Sequence, residues 1–307
     1  MIQNNYLITG IAGFIGSHIT EELLKNPQNV VIGIDNFYSG KQENIDYLKE
    51  ISANRLVFVD ADIRDFDKMN EVIKIYSVKY IFHEAAIASV QTSIENPRFT
   101  NAVNVQGTLN VLEAARLNGV EKVVFASSAA VYGDEPSLPK NENSVIKPIS
   151  PYGYEKYMGE QYLKLYAELY GLKTVALRYF NVYGPRQDPS SEYSGVISIF
   201  ENKIKNGEQI KIFGDGEQYR DFIFVKDVVK ANLAAMEEET GPFSVFCVGT
   251  AHKTSVNELV KTLQVKYSKN IDIKHEDARK GDIKESLADN TKLITELSVQ
   301  ISDSLMV

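Results

Sequence analysis

The sequence predicts an α/β protein, a doubly wound parallel sheet carrying a smaller C-terminal lid. Three observations lead there. Between residues 6 and 181, six short apolar runs, mostly without alternation, are separated by longer helical patterns. Runs of that kind suit strands buried on both faces, and their rhythm is that of right-handed βαβ crossovers. Three glycines, Gly10, Gly13 and Gly16, sit between the first run and the first helical pattern, and Asp35 ends the second run. Past residue 181 the segments shorten and turn residues multiply, which marks a change of architecture.

Each element has its own signal. "YLITG" (6–10), "VVIGID" (30–35), "LVFVDAD" (56–62), "YIFHEAA" (80–86), "KVVFASS" (122–128) and "TVALRYFN" (174–181) are β-branched or aromatic and read as strands. Helices are predicted at "SHITEELLKN" (17–26), "FDKMNEVIKIY" (66–76) and "FTNAVNVQGTLNVLEAARLNG" (99–119), the last closed by Gly119. A Ser-Pro start signal at Ser150 and Pro151 opens a helix over residues 152–170. Turns are expected within 183–195, 213–218 and 238–243. The runs "FIFVKDVVKANLAAMEE" and "FSVFCVGT" look able to return to the main sheet, so part of 222–250 is assigned there although the lid begins near residue 181.

Composition narrows the function classes. A chain of 307 residues, 44% hydrophobic and 24% charged, is long enough for a large core and is composed like an ordinary globular protein. Its net charge of −8 gives no electrostatic footprint for nucleic acid or an anionic membrane. No apolar run approaches the ~18 residues of a membrane helix, and the N-terminus reads as a strand entering a loop rather than a signal peptide. The single cysteine, Cys247, lies in an apolar run and reads as core, which fits a reducing, cytoplasmic setting. His18, His83, His252 and His275 are scattered without ligand spacing, so no metal site is expected.

The glycine trio carries the first chemistry. G-x-x-G-x-x-G between a strand and a helix is a variant of the Rossmann dinucleotide fingerprint. Glycine is needed where the backbone approaches a pyrophosphate and where the helix packs on the strand. Asp35, about twenty residues on, can accept hydrogen bonds from both ribose hydroxyls and repels a 2′-phosphate, which favours NAD over NADP. Asp62 and Ile63 follow the third strand, where an adenine could lie; taken alone, Asp62 reads more readily as a helix cap or turn residue. Residues 1–180 are therefore predicted to bind NAD, and residues 181–307 mainly to bind substrate.

Four motifs in order sharpen the reading: the glycine trio, "SSAAVYG" (127–133), "SPYGYEK" (150–156) and "LRYFNVYGPRQDP" (177–189). With them the chain resembles the extended short-chain dehydrogenase/reductase family, and within it the UDP-sugar 4-epimerases, over residues 6 to about 290. Tyr152 and Lys156 stand one helical turn apart. A free phenol titrates near 10, too high for a base at neutral pH, but a neighbouring ammonium and a positive nicotinamide both favour the phenolate. An isolated Tyr-x-x-x-Lys pair is more often surface decoration; the ordered motifs decide for chemistry.

The resemblance implies Tyr152 as acid/base, Lys156 as its tuner and a nicotinamide-ribose contact, and Ser128 bridging the sugar 4-oxygen to Tyr152. It further implies Asn104 near the cofactor, Tyr179 beside the nicotinamide, Asn181 on the nucleotide diphosphate and Ser89 on the hexose. Arg220 and Arg279 would neutralise the UDP phosphates with their bidentate guanidinium forks. Asp282 would lie near the uridine ribose, while Val196 and Phe213 would sandwich the uracil.

The same resemblance sets the reaction. Relatives that dehydrate or decarboxylate carry an acid just before "VYG"; here Ala129 and Ala130 stand there, which argues for oxidation and re-reduction only. Ser286 occupies the place where epimerases restricted to UDP-glucose and UDP-galactose carry a bulky tyrosine. "RQDP" (186–189) also resembles the subgroup acting on N-acetylated sugars. The expected substrates are UDP-N-acetylglucosamine and UDP-N-acetylgalactosamine, with the plain UDP-hexoses, on a tightly bound NAD and in a homodimer. Two rivals stand beside this: an epimerase of another nucleotide sugar such as UDP-glucuronate, and a non-catalytic NAD-binding sensor.

Overall fold

The computed structural model describes residues 4–188, 196–277, 285–302 and 305. The six predicted strands are present as β1 (Asn4–Thr9), β2 (Asn29–Asp35), β3 (Leu56–Asp60), β4 (Tyr80–His83), β5 (Lys122–Ser128) and β6 (Lys173–Tyr179). A seventh, Phe243–Val248, pairs with β6 in parallel, so the chain does come back to the main sheet after entering the lid. Across the sheet the order is Phe243–Val248, β6, β5, β4, β1, β2, β3, with every pairing parallel. From β1 the chain winds outward to β2 and β3, then starts again at β4 and winds the other way. The carboxyl ends of β1 and β4 therefore border a crevice, the place where an open α/β sheet takes its ligand.

Both faces of this sheet are covered, which is why its strands lack alternation. Leu7 and its neighbour Ile8 point to opposite sides, and both are fully buried. On one side Leu7, Ile32, Ile81 and Phe125 pack under helices α3 (Phe66–Ile75), α6 (Thr108–Leu117) and α7 (Pro151–Tyr170). On the other, Ile8, Val31, Phe82 and Leu177 meet α1 (Phe14–Leu23), α2 (Gln42–Ile51) and the helix Val225–Glu237. Each such aliphatic or aromatic side chain contributes roughly 1.5–3 kcal/mol on burial.

Two local readings of the sequence differ from the fold. Helix α2, which buries Ile45 and Leu48 against the sheet, is not among the helices named from the sequence. The predicted helix 99–119 is three pieces: α5 (Pro97–Asn101), a π-helix over Ala102–Gly107, and α6. The short helix α4 (Val90–Glu95) precedes it, and Gly119, at φ +69°, stands just past the end of α6. Helix α7 begins as its start signal predicts: Ser150 accepts a bond from Gly153 N at 3.2 Å, Pro151 takes the first turn, and Gly171 ends the helix in the left-handed region.

The lid has its own small core. Helices Val196–Asn206 and Val256–Tyr267 enclose Phe200, Ile204, Ile210, Ile212, Leu259 and Leu263 against the parallel pair Ile210–Phe213 and Ile273–Glu276. Among the described residues no helix is long and apolar enough to cross a membrane, and no group of three or more His, Cys, Asp or Glu side chains could hold a metal ion.

Candidate active site

A cleft of about 910 Å³ opens at the carboxyl ends of the strands, between the sheet and the lid. Its floor begins with the glycine loop. Gly10 has φ +74°, and a Cβ there would lie 2.8 Å from Ala85 N. A Cβ on Gly16 would lie 2.3 Å from Gly10 O, so helix and strand approach as only glycine permits. Gly13 is the N-cap of α1 and offers no side-chain cap, which leaves the first N–H groups of that helix directed at the cleft. A cradle that any Cβ would fill, opening on an uncapped helix N-terminus, fits a pyrophosphate.

Asp35 stands at the end of β2, where Oδ2 accepts from Ala12 N at 2.9 Å and Oδ1 from Phe37 N at 2.8 Å. Each oxygen keeps a lone pair for a ribose hydroxyl. Burial raises the carboxyl above its ordinary range despite those backbone bonds. Asp62 also lines the cleft, but its carboxylate is occupied: Arg64 Nε at 2.9 Å and Nη2 at 2.7 Å, and Asn36 at 2.8 Å. Those hydrogen bonds from Arg64 hold it below the usual carboxylate range. Asp62 thus works as a turn anchor, the alternative its local sequence left open, and it is Ile63 that turns an apolar side chain to the cleft.

The second group gathers where β5 meets α7. Ser128 ends β5 directly opposite Tyr179 of β6 in register and shares a hydrogen bond with the Tyr152 phenol. Tyr152 and Lys156 face inward, 9% and 3% exposed, while Tyr154 on the same helix is 54% exposed. Lys156 Nζ donates to Ala126 O at 2.7 Å and lies 4.9 Å from the Phe125 ring centroid and 5.9 Å from that of Tyr152.

Burial pushes the Tyr152 phenol up to about 12, with the Ser128 bond acting the other way. Burial likewise lowers Lys156 to about 8, against the pull of Glu84 and Glu155. In both groups desolvation of the charged form is the largest cause. Ser127 turns away from the cleft chemistry and donates to Glu160 at 2.5 Å.

The other predicted residues divide. Ser89, Tyr179, Asn181, Val196 and Arg220 line the cleft with the groups above. Ser89 accepts from Thr92 N at 3.0 Å as the N-cap of α4, and Asn181 donates to Asp221 O at 3.1 Å. Asn104 does not line the cleft. Its amide clasps the backbone of Ile87, accepting from N at 2.8 Å and donating to O at 3.1 Å, and also donates to Glu155 at 2.7 Å. Its amide therefore braces the cleft loop. Phe213 also stands outside the wall, at the end of a lid strand, with its carbonyl taken by Gln218 at 2.8 Å. Ser286 is partly buried and gives its N–H to Tyr219 O at 3.2 Å, next to Arg220 but not on the wall. Arg279 and Asp282 lie outside the described residues.

Several residues of the site escaped sequence reasoning. Glu84 follows β4 and lines the cleft beside Lys156, and burial raises its carboxyl to about 7. Asp221, fully buried, collects Thr250 N and Oγ1 at 2.7 Å, Ala251 N at 3.0 Å and Ala288 N at 3.1 Å, joining three lid segments behind Arg220. Both acids stood inside apolar or turn motifs, yet only tertiary contact reveals what they hold.

Comparison with known proteins agrees with this geometry. Residues 6–249 match the NAD dependent epimerase/dehydratase family. A putative UDP-glucose 4-epimerase of Methanocaldococcus jannaschii is 48% identical over 254 residues, covering 82% of this chain and 79% of that protein. The solved UDP-N-acetylglucosamine 4-epimerase of Methanobrevibacter ruminantium M1, in complex with UDP-N-acetylmuramic acid, superposes with a TM-score of 0.92 at 41% identity, covering 99% and 94% of the two chains. The UDP-glucose 4-epimerase of Thermus thermophilus, solved with NAD, gives 0.87 at 36% identity over 96% and 93%. With its glycine cradle, its parallel sheet and these relatives, the chain belongs to the NAD-dependent epimerase/dehydratase family, and NAD is its cofactor.

Proposed function

We propose that the chain is a UDP-sugar 4-epimerase that interconverts UDP-N-acetylglucosamine and UDP-N-acetylgalactosamine, and UDP-glucose and UDP-galactose, through a 4-keto sugar. The observation that carries this is the convergence of Ser128, Tyr152 and Lys156 on the same cleft as the glycine cradle. The names of the relatives support the reaction class.

In this reading Gly10, Gly13 and Gly16 with the α1 N-terminus hold the dinucleotide phosphates, Asp35 its adenosine ribose and Ile63 its adenine. Bound there, NAD would supply a hydride acceptor at the sugar C4 and, once reduced, a donor for its return. Tyr152 takes the 4-hydroxyl proton and gives it back, with Ser128 bridging phenol and sugar oxygen. At about 12 the phenol needs more than Lys156, and the positive charge of a bound cofactor is the further stabiliser of the phenolate. Ser89 keeps its hydroxyl proton for the hexose. Asn181 and Arg220, with Arg279, keep the diphosphate in place while the keto sugar turns; Val196 covers the base. The lid residues after 181, apart from those returning to the sheet by Val248, form the substrate half.

The decisive experiment is incubation of the purified protein with UDP-N-acetylglucosamine and no added NAD, with NMR detection of the 4-epimer. Formation of UDP-N-acetylgalactosamine is expected; no epimer from any UDP-hexose or UDP-N-acetylhexosamine would refute the reading. Ser286→Tyr should abolish conversion of the acetamido sugars and spare UDP-glucose; loss of both or neither would refute its role in the pocket. Tyr154, Met158, Leu165 and Leu169 expose an apolar stripe along α7, beside Leu117 of α6. A homodimer through these two helices follows, measurable by light scattering, and a cytoplasmic enzyme with a reduced Cys247 is the matching setting.

A further inference from the structure

We infer that Arg186 is the latch that retains the dinucleotide, a positioning residue that fastens the strap formed by residues 185–188 across the cleft to α1 and α2. The strap follows the short strand Asn181–Tyr183 on the substrate side of the cleft, whereas the glycine cradle and the start of α2 stand on the other side. Arg186, Asp188 and Lys41 line the same cleft as Gly13 and Gly16, so the two sides meet at its wall.

The fastening is made of named contacts. Arg186 Nη1 donates to Ser17 Oγ at 3.3 Å and Nη2 to the Glu21 carboxylate, both on α1. Its guanidinium lies 4.8 Å from the Tyr47 ring centroid on α2, and the Tyr47 hydroxyl donates to the other Glu21 oxygen at 3.1 Å. Pro185 O accepts from His18 Nε2 at 3.0 Å, and since a carbonyl only accepts, the ring proton stands on that nitrogen. Asp188 pairs with Lys41 at 3.1 Å. Lys41 N and Asn44 Nδ2 in turn donate to Ala12 O, at 3.0 and 2.8 Å, inside the glycine loop. The strap is thereby hooked to the cradle itself. Arg186 holds φ +67°, a left-handed backbone that a residue with a Cβ adopts at a cost, which these contacts offset. They give the "RQDP" run a task on the dinucleotide side of the cleft, apart from any preference among sugars. A dinucleotide lying between cradle and strap leaves only when the contacts part. Arg186 and Glu21 are 19% and 29% exposed, so parting is within thermal reach and the latch acts on the rate of release.

The inference rests on NAD as cofactor and not on the sugar reaction, and its test needs no turnover. Full-length protein is loaded with NAD, freed of excess and diluted into alcohol dehydrogenase with ethanol, where released NAD is read as NADH fluorescence. Arg186→Ala should release NAD about tenfold faster than the parent, the joint size of a partly buried ion pair and a cation–π contact. Glu21 does not line the cleft, so its side chain reaches NAD only through the strap. Glu21→Ala should therefore also speed release, and the double variant should be no faster than Arg186→Ala, since both changes remove one shared contact. Glu22→Ala, the next residue of α1, whose carboxylate pairs with Lys25, should release at the parent rate. Parent rates in both single variants overturn the proposal, as does a parent that keeps no NAD. A fast Arg186→Ala beside an unchanged Glu21→Ala overturns it too, because the arginine would then act on the cofactor directly. If Arg186→Ala does not fold, Arg186→Lys decides: it loses the fork to Ser17 and the Tyr47 contact, so faster release supports the latch and the parent rate refutes it. Absence of epimerisation with these release rates as expected would refute the proposed reaction and leave the latch standing.

Discussion

Replacing Glu160 by glutamine should weaken the whole molecule more than any surface change, and the structure says by how much. Glu160 and Arg178 form a bidentate pair, Nε to Oε1 at 2.9 Å and Nη2 to Oε2 at 2.7 Å, with side chains 1% and 5% exposed. Ser127 adds a bond to Oε1 at 2.5 Å, and Arg178 Nη1 donates to the Tyr132 hydroxyl at 2.9 Å. Glutamine keeps the shape but replaces an acceptor with a donor aimed at the guanidinium, leaving a buried cation uncompensated. Breaking such a pair on one side costs roughly 3–5 kcal/mol. At ~2–4 °C per kcal/mol for a large domain, that is a fall in melting temperature of roughly 6–20 °C. Calorimetry on parent, Glu160→Gln and the double variant Glu160→Met with Arg178→Met measures it. The double variant should recover much of the loss, since removing both charges removes the desolvation cost as well. A Gln variant melting within about 2 °C of the parent would refute the reasoning. Because Ser127 precedes Ser128, and Glu160 is one turn beyond Lys156, the Gln variant should also lose turnover.

Three further outcomes are expected. Tyr152→Phe should retain NAD but lose about 10²–10⁴ in turnover, the range of a general acid/base, measured by a coupled assay with bound nucleotide quantified after denaturation. Gly16→Ala places a Cβ 2.3 Å from Gly10 O and should yield protein that no longer retains NAD through gel filtration. Asp35→Asn exchanges a charged acceptor for a neutral one and should weaken NAD by about 1.5–3 kcal/mol while admitting NADP, read by calorimetric titration of both nucleotides.

What the sequence made legible is local. The glycine spacing, the Ser-Pro start of α7 and the four-residue step from Tyr152 to Lys156 are each written within one turn or one loop, and each appears where expected. The strands were readable for the same reason: burial of Leu7 and Ile8 on opposite faces removes alternation from the run itself. The π-helix at Ala102–Gly107 was not readable, because apolar periodicity through residues 99–119 scarcely changes when one residue is added to a turn. Yet that extra residue lies in the stretch carrying Asn104, whose amide reaches Ile87 and Glu155.

The pair that escaped, Glu160 with Arg178, joins α7 to β6 inside the core, and its meaning comes from desolvation. Burial treats the two members of the catalytic step alike: it raises the phenol to about 12 and lowers the ammonium to about 8. Both shifts favour neutral groups, so the Tyr152–Lys156 spacing alone does not yield a base. In the proposed reaction a positive charge arriving in the cleft would sustain the phenolate, which would couple cofactor occupancy to the acidity of Tyr152. A direct consequence is that the tyrosinate absorbance lost in Tyr152→Phe should appear at lower pH in NAD-loaded protein than in protein stripped of its nucleotide. Equal titration in the two forms would mean that the acidity of Tyr152 has another source.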